Sequence, residues 1–155
     1  KNKYFIYGCT SDSANSFKRK ITNKNILFHK YVPYKKIKEL MCQMDLLILP
    51  YEKKVTSSGN VGNIANFTSP MKLFDYLSSS KPIIASSLSV LKEVLVSKKN
   101  CIFVENLNIY RWKLVIKRIL LNSTQREIIS RNNFFLAKNY TYQKRVNKMF
   151  NNLSI

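Results

Sequence analysis

The chain has 155 residues, 45% of them hydrophobic, and 27 Lys and Arg against 8 Asp and Glu give a formal net charge of +19 at pH 7. That is an ordinary composition for one globular domain, long enough to bury roughly two-thirds of its unfolded surface. No apolar run approaches the ~20 residues of a spanning helix, and the opening residues do not have the pattern of a secretory leader.

The basic excess fits an anionic partner such as nucleic acid, anionic lipid or a phosphorylated substrate. It fits equally a composition rich in Lys, Asn and Ile set by an AT-rich genome. Cys9, Cys42 and Cys101 are odd in number and lack metal-ligand spacing, which predicts reduced thiols in a cytosolic protein. The sequence places no His near Cys9 to make it a nucleophile. The chain opens on Lys1 rather than Met and enters a strand almost at once. It is therefore expected to be a piece of a longer protein.

Taken in order, the chain alternates strands and helices. Tyr4-Phe5-Ile6-Tyr7 reads as an apolar strand ending at Gly8. A polar turn from Thr10 to Ser13 leads to a short, weakly amphipathic helix near residues 14–20. Ile26-Leu27-Phe28 is a second strand. The loop Tyr31-Val32-Pro33-Tyr34 precedes a helix with Ile37, Leu40, Met41 and Met44 on one face. Asp45 to Leu49 is a third strand, stopped by Pro50. Such alternation predicts parallel βαβ units with right-handed crossovers. Residues 51–67 are the one long irregular stretch and hold two of the three glycines. They leave the C-terminal end of a strand, where open α/β sheets bind ligands. The stretch is expected to be functional or, alternatively, a disordered insertion.

The densest signal runs from Thr68 to Ser86. Thr68 or Ser69 is the predicted N-cap and Pro70 the first helical residue. Pro70, Leu73, Phe74 and Leu77 fall on one face. Asp75 lies about 200° around the helix from Leu73, away from that stripe. A helix start that follows a polar loop attracts anions, phosphates above all. Asp75 is either a solvated partner of Lys72 at i, i+3 or a ligand-holding carboxylate. Ser78-Ser79-Ser80 ends the helix. Pro82 opens Ile83-Ile84-Ala85, the kind of run found in a sheet covered on both faces.

Beyond Ser86, a helix with Leu88, Leu91 and Leu95 inward precedes a strand at Cys101-Ile102-Phe103-Val104. Trp112, Val115, Ile116, Ile119 and Leu120 predict an amphipathic helix. Thr124 and Glu127 predict a capping box for the next one. Tyr142, Val146, Met149, Phe150 and Leu153 predict a final helix over about 141–153. His29, the single histidine, is expected to be a hydrogen-bonded structural residue rather than a catalytic one.

The run S-P-M-K-L-F-D-Y-L-S-S-S-K-P-I-I-A-S resembles a signature of GT-B glycosyltransferases. It is similar to the C-terminal domain of the large retaining group 1 family (family 4), which reads S-P-x-K-L-x-E-Y-M-A-x-G-K-P-I-I-A-S here. Asn25-Ile26, Phe28, Val32-Pro33, Asp45 and Leu47-Ile48-Leu49-Pro50 are similar to the family's preceding strands. Leu91, Glu93-Val94, Asn100 and Phe103-Val104 are similar to its following ones. Asn139-Tyr140-Thr141-Tyr142 to Arg145 resembles the start of its terminal helix, which crosses back toward an N-terminal domain. The resemblance implies an α/β fold: a Rossmann-like parallel sheet with flanking helices and strand order 3-2-1-4-5-6. Its first, central strand and its acceptor-binding N-terminal domain would lie upstream of Lys1. Residues 1–155 would then be a partial donor-binding domain, inactive alone.

The function this resemblance implies is sugar transfer from a nucleotide-diphosphate sugar to an acceptor hydroxyl, with retention. The helix start at Thr68, Ser69, Met71 and Lys72 would hold the diphosphate, with Lys72 adding its charge. Asp75 would hold the ribose hydroxyls. Tyr31 and Val32 would meet the base, although Tyr31 reads equally as a packing aromatic. No residue is assigned to catalysis. Without a D-x-D or a His/Asp cluster no metal is implied, and the nucleotide sugar is a substrate rather than a cofactor. Partners implied are the nucleotide sugar and a lipid-linked or polysaccharide acceptor. Peripheral attachment to an anionic membrane, at its cytoplasmic face, would be a further use of the charge. Four departures stand out: Phe67 in place of the first of two family glutamates, Asp75 shorter than Glu, and Ser80 and Cys101 where Gly is common. Phe67 keeps open a GT-B relative that has lost turnover. A basic nucleic-acid-binding domain is a second alternative, although helix-turn-helix, RNP and zinc patterns are missing.

Overall fold

The structure, a computed structural model, describes residues 2–52, 71–105 and 108–151. The chain divides into two compact units, residues 1–39 and residues 40–155.

In the first unit, strand β1 (Tyr4–Ile6) pairs in parallel with β2 (Ile26–Phe28), Tyr4 opposite Ile26 and Ile6 opposite Phe28. Gly8 ends the strand at φ +86°, a left-handed conformation that a side chain resists, with open space where a Cβ would stand. Helix α1 (Ser11–Lys20) connects the two strands. It begins earlier than predicted because Thr10 is its N-cap: the threonine hydroxyl accepts from the Ser13 amide at 3.2 Å. The polar residues read as a turn are thus its first turn. Phe17 of α1 lies parallel to Phe28 of β2 with ring centroids 5.8 Å apart.

Helix α2 (Tyr34–Cys42) leads into the second unit, and of its predicted apolar face Met41 is buried. Strands β3 (Leu47–Leu49), β4 (Ile83–Ser86) and β5 (Ile102–Val104) form a parallel sheet in that order. Leu47 stands opposite Ile83, and Ile84 opposite Ile102. Within each sheet the neighbours are those that the expected order gives, β1 beside β2 and β4 between β3 and β5.

Strand β4 is buried at every position, as its unbroken apolar run predicts. Its residues alternate between two clusters. Ile83 and Ala85 join Leu49, Leu91, Leu95, Cys101 and the Leu73 and Leu77 stripe of α3 (Met71–Ser78). Ile84 faces the opposite way, onto Val104, Trp112 and Ile119 of α5 (Ile109–Leu121) and Ile129 of α6 (Ser123–Ala137). Each fully buried Leu or Ile contributes about 1.5–3 kcal/mol, so these two layers carry the unit. Between them in sequence, α4 (Ser89–Lys92) is a single turn that buries Leu91.

One expectation is corrected. The predicted Thr124–Glu127 capping box does not form. Asn122 caps α6 instead, its side chain accepting from the Gln125 amide at 2.9 Å, while its own N–H closes α5 on the Ile119 carbonyl. One residue turns the chain between the two helices, leaving Thr124 already inside α6. The last helix, α7, forms as expected over Tyr142–Asn151, the end of the described residues, and buries none of them.

Candidate functional site

Because β3 and β4 are parallel neighbours, the helix joining them must run back along the sheet. The N-terminal end of α3 therefore lies toward the C-terminal edge of the strands, where open α/β sheets bind ligands. Met71 and Lys72, its first residues, are exposed. Asp75 follows one turn later and is half-buried. Leu73 and Leu77 are fully buried below it, so the apolar stripe sets the orientation of the helix.

Tyr76 stands within electrostatic reach of this carboxylate, and Tyr51 within reach of Tyr76. Tyr76 donates its hydroxyl to the Ile48 carbonyl of β3 at 3.3 Å. Leu47 turns its backbone toward β4, its N–H bonding the Pro82 carbonyl. Ile48 must turn its own backbone to the opposite edge, and the tyrosine caps that edge. Burial first, then the charges of Tyr51 and Asp75, push the Tyr76 phenol above its ordinary pKa of 10.0. Tyr51 follows β3 after Pro50. Its amide donates at 2.8 Å to the hydroxyl of Ser86, the buried last residue of β4, and burial raises its phenol as well. The ends of β3 and β4 are thus latched beside the α3 start by groups that the sequence reading passed over. Tyr76 and Ser86 lay within the signature run and Tyr51 followed a strand-ending proline. Those positions were the available signals.

The other predicted residues stand as follows. Thr68 and Ser69, together with Pro70, Phe67 and most of the 51–67 stretch, lie outside the described residues. Tyr31 and Val32 belong to the first unit, after β2. Tyr31 is 76% exposed among the described residues, while Val32 is half-buried. Met71, Lys72 and Asp75 share one helix. Glu93 caps the C-terminal end of α4 and is exposed. His29 differs from expectation. Its ring stacks on Tyr7 at 4.6 Å and on Phe5 at 5.9 Å, but its buried Nε2 has no hydrogen-bond partner among the described residues. Its backbone is hydrogen-bonded to Ile6 and Cys9, and stacking holds the ring.

A parallel α/β sheet with helices on both faces and a ligand-edge helix start defines a Rossmann-like domain, and solved structures give the particular architecture. The chain superposes on the Anabaena protein Alr3699/HepE in complex with UDP with a TM-score of 0.78, at 13% identity, over 99% of this chain and 41% of that one. It matches the C-terminal domain of the group 1 glycosyl transferase LpcC from Francisella tularensis at a TM-score of 0.63, with 17% identity over 84% of this chain and 63% of that one. Sucrose-phosphate synthase from Thermosynechococcus elongatus matches at 0.69, with 12% identity over 96% of this chain and 38% of that one. These likenesses establish the GT-B type of fold. No curated protein matches the sequence. Residues 1–122 match the model of the family described as Glycosyl transferases group 1, and the chain belongs to that family. It spans about two-fifths of the length of Alr3699/HepE.

Proposed function

We propose that this chain is the donor-binding part of a glycosyltransferase that moves a sugar from a nucleotide diphosphate to an acceptor hydroxyl, with retention. The observation that carries the reading is α3: exposed first residues, Met71 and Lys72, toward the C-terminal edge of a parallel sheet, with a half-buried carboxylate one turn in. The first turn of such a helix offers free N–H groups to a diphosphate. In this reading Thr68, Ser69, Met71 and Lys72 hold the diphosphate, Asp75 holds the ribose, and Tyr31 and Val32 meet the base. Family membership supports it, as does the solved complex of Alr3699/HepE with UDP-glucose. The acceptor in this proposal is a lipid-linked or polysaccharide hydroxyl.

Asp75 supplies the test. A carboxylate accepting from both ribose hydroxyls makes charge-assisted bonds of roughly 1.5–3 kcal/mol each. In the full-length protein, Asp75→Ala should weaken UDP binding by at least about tenfold, since ~1.4 kcal/mol is a factor of ten. The 2′-deoxy analogue should bind the wild type more weakly and lose little further in the variant. Calorimetry on both proteins with both nucleotides closes the cycle. Equal UDP affinity in the wild type and Asp75→Ala removes Asp75 from the site.

A further inference from the structure

Helix α5 carries two apolar stripes. The inner one, Trp112 and Ile119, is buried against the sheet. The outer one consists of Tyr110, Leu114 and Leu121, which are 68%, 49% and 77% exposed. Spacings of four and seven residues bring these three into line within about 40° of one another, on the side away from Trp112. The stripe is bordered by Arg111, Lys113, Lys117 and Arg118, and α5 contains no acidic residue. The solvent face of an ordinary amphipathic helix is mixed in charge and lacks a second apolar line.

The outer side of α6 repeats the pattern. Phe134 and Phe135 are exposed, and Lys138 Nζ lies 4.3 Å from the Phe134 ring centroid and 5.4 Å from that of Phe135. From Asn108 to Asn151 the single acidic side chain is Glu127.

We infer that the outer face of α5 docks on an anionic lipid surface. Aliphatic and tyrosine side chains along a line flanked by Lys and Arg match a bilayer interface, where the apolar tips enter the acyl boundary and the cations meet lipid phosphates. A nucleic acid would satisfy the cations and gain nothing from Leu114 and Leu121. A folded partner protein would need to present a surface of matched negative charge. The inference concerns a surface separate from α3 and does not rest on the donor-site reading.

The test is co-sedimentation of the full-length protein with phosphatidylcholine vesicles, with and without phosphatidylglycerol. Binding should require phosphatidylglycerol and release as salt rises through the range in which screening shortens to a few ångströms. Leu114→Ser with Leu121→Ser keeps every charge and should lower vesicle affinity by about tenfold or more. Lys113→Gln with Lys117→Gln should lower it by a similar ~tenfold. All four side chains are exposed, so both variants should keep the wild-type thermal midpoint and UDP affinity. Equal binding to pure phosphatidylcholine overturns the inference. So does unchanged phosphatidylglycerol binding in the leucine variant. Tight binding of double-stranded DNA by the wild type and by the leucine variant alike, with vesicle binding absent, replaces the lipid with a nucleic acid.

Discussion

Ser80 ends α3 at φ +56°, the left-handed position at which helices favour glycine. Glycine is also what the resembled family commonly carries there. The strain falls on the serine Cβ, so Ser80→Gly should raise stability by about 0.5–1 kcal/mol, read as a higher urea midpoint at unchanged slope. An unchanged or lower midpoint would show that the Ser80 side chain earns its place. Cys101 makes a second residue-scale prediction. Its side chain is fully buried, and desolvation pushes its thiol from 9.0 up to about 12. The folded pKa lies above the unfolded one, so the stability is intact below about pH 9 and falls as pH rises toward 12, by ~1.4 kcal/mol per pH unit. Tyr51 and Tyr76 are raised in the same direction and steepen the fall above pH 10. Urea unfolding from pH 8 to pH 11 should show this decline, with a shallower slope in Cys101→Ala. Parallel slopes in the two proteins would mean that the thiol ionises alike in the folded and unfolded chains.

At the scale of elements, α3 is held from two sides. Tyr76 ties it to β3, and Asn133 of α6 donates at 2.9 Å to the Lys81 carbonyl just beyond its end. Tyr76→Phe keeps the ring and removes one neutral hydrogen bond, so it should cost about 0.5–1.5 kcal/mol. If the tie also steadies Asp75, UDP affinity in the full-length protein should fall with it. A stability loss without any affinity change would separate the latch from the nucleotide. Asn133 is completely buried. Asn133→Ala leaves a carbonyl short of a donor and a small void, and should cost about 1–3 kcal/mol by thermal or urea unfolding. The asparagine Oδ1 has no hydrogen-bond partner among the described residues, and its amide N–H is the group that does the joining. Asn122 illustrates the limit of reading caps from sequence. Thr124 and Glu127 satisfy the spacing of a capping box, but an asparagine two residues earlier already supplies the acceptor and begins the helix.

Across the whole molecule, burial is uneven. No described residue from 2 to 39 is buried, while β4 is buried throughout. With its strands of three residues partly open, the first unit lacks the apolar burial that makes unfolding cooperative. Residues 1–155 alone should therefore not melt in one sharp transition. Amide exchange should be fast at Phe5 and Ile6 and slow at Ile84 and Ala85. A single two-state transition with equal protection in both units would contradict this.

The sequence by itself determined what depends on near neighbours. The 3.6-residue period placed Leu73 and Leu77 inward on α3 and Trp112 and Ile119 inward on α5. The continuous apolar run marked β4, and strand–helix alternation marked the parallel pairings. It also put Asp75 one turn into a helix at a sheet edge, because the stripe below it is local. The tertiary structure decided what joins distant stretches. Tyr51 meets Ser86 across 35 residues, Tyr76 meets Ile48 across 28, and Asn133 meets Lys81 across 52. It also decided exposure among the described residues, burying Trp112 and Ile119 of α5 while Tyr110, Leu114 and Leu121 of the same helix stay open. A periodic pattern records that a face is apolar. Which face is covered depends on where the chain returns in space, and no window of neighbouring residues contains that.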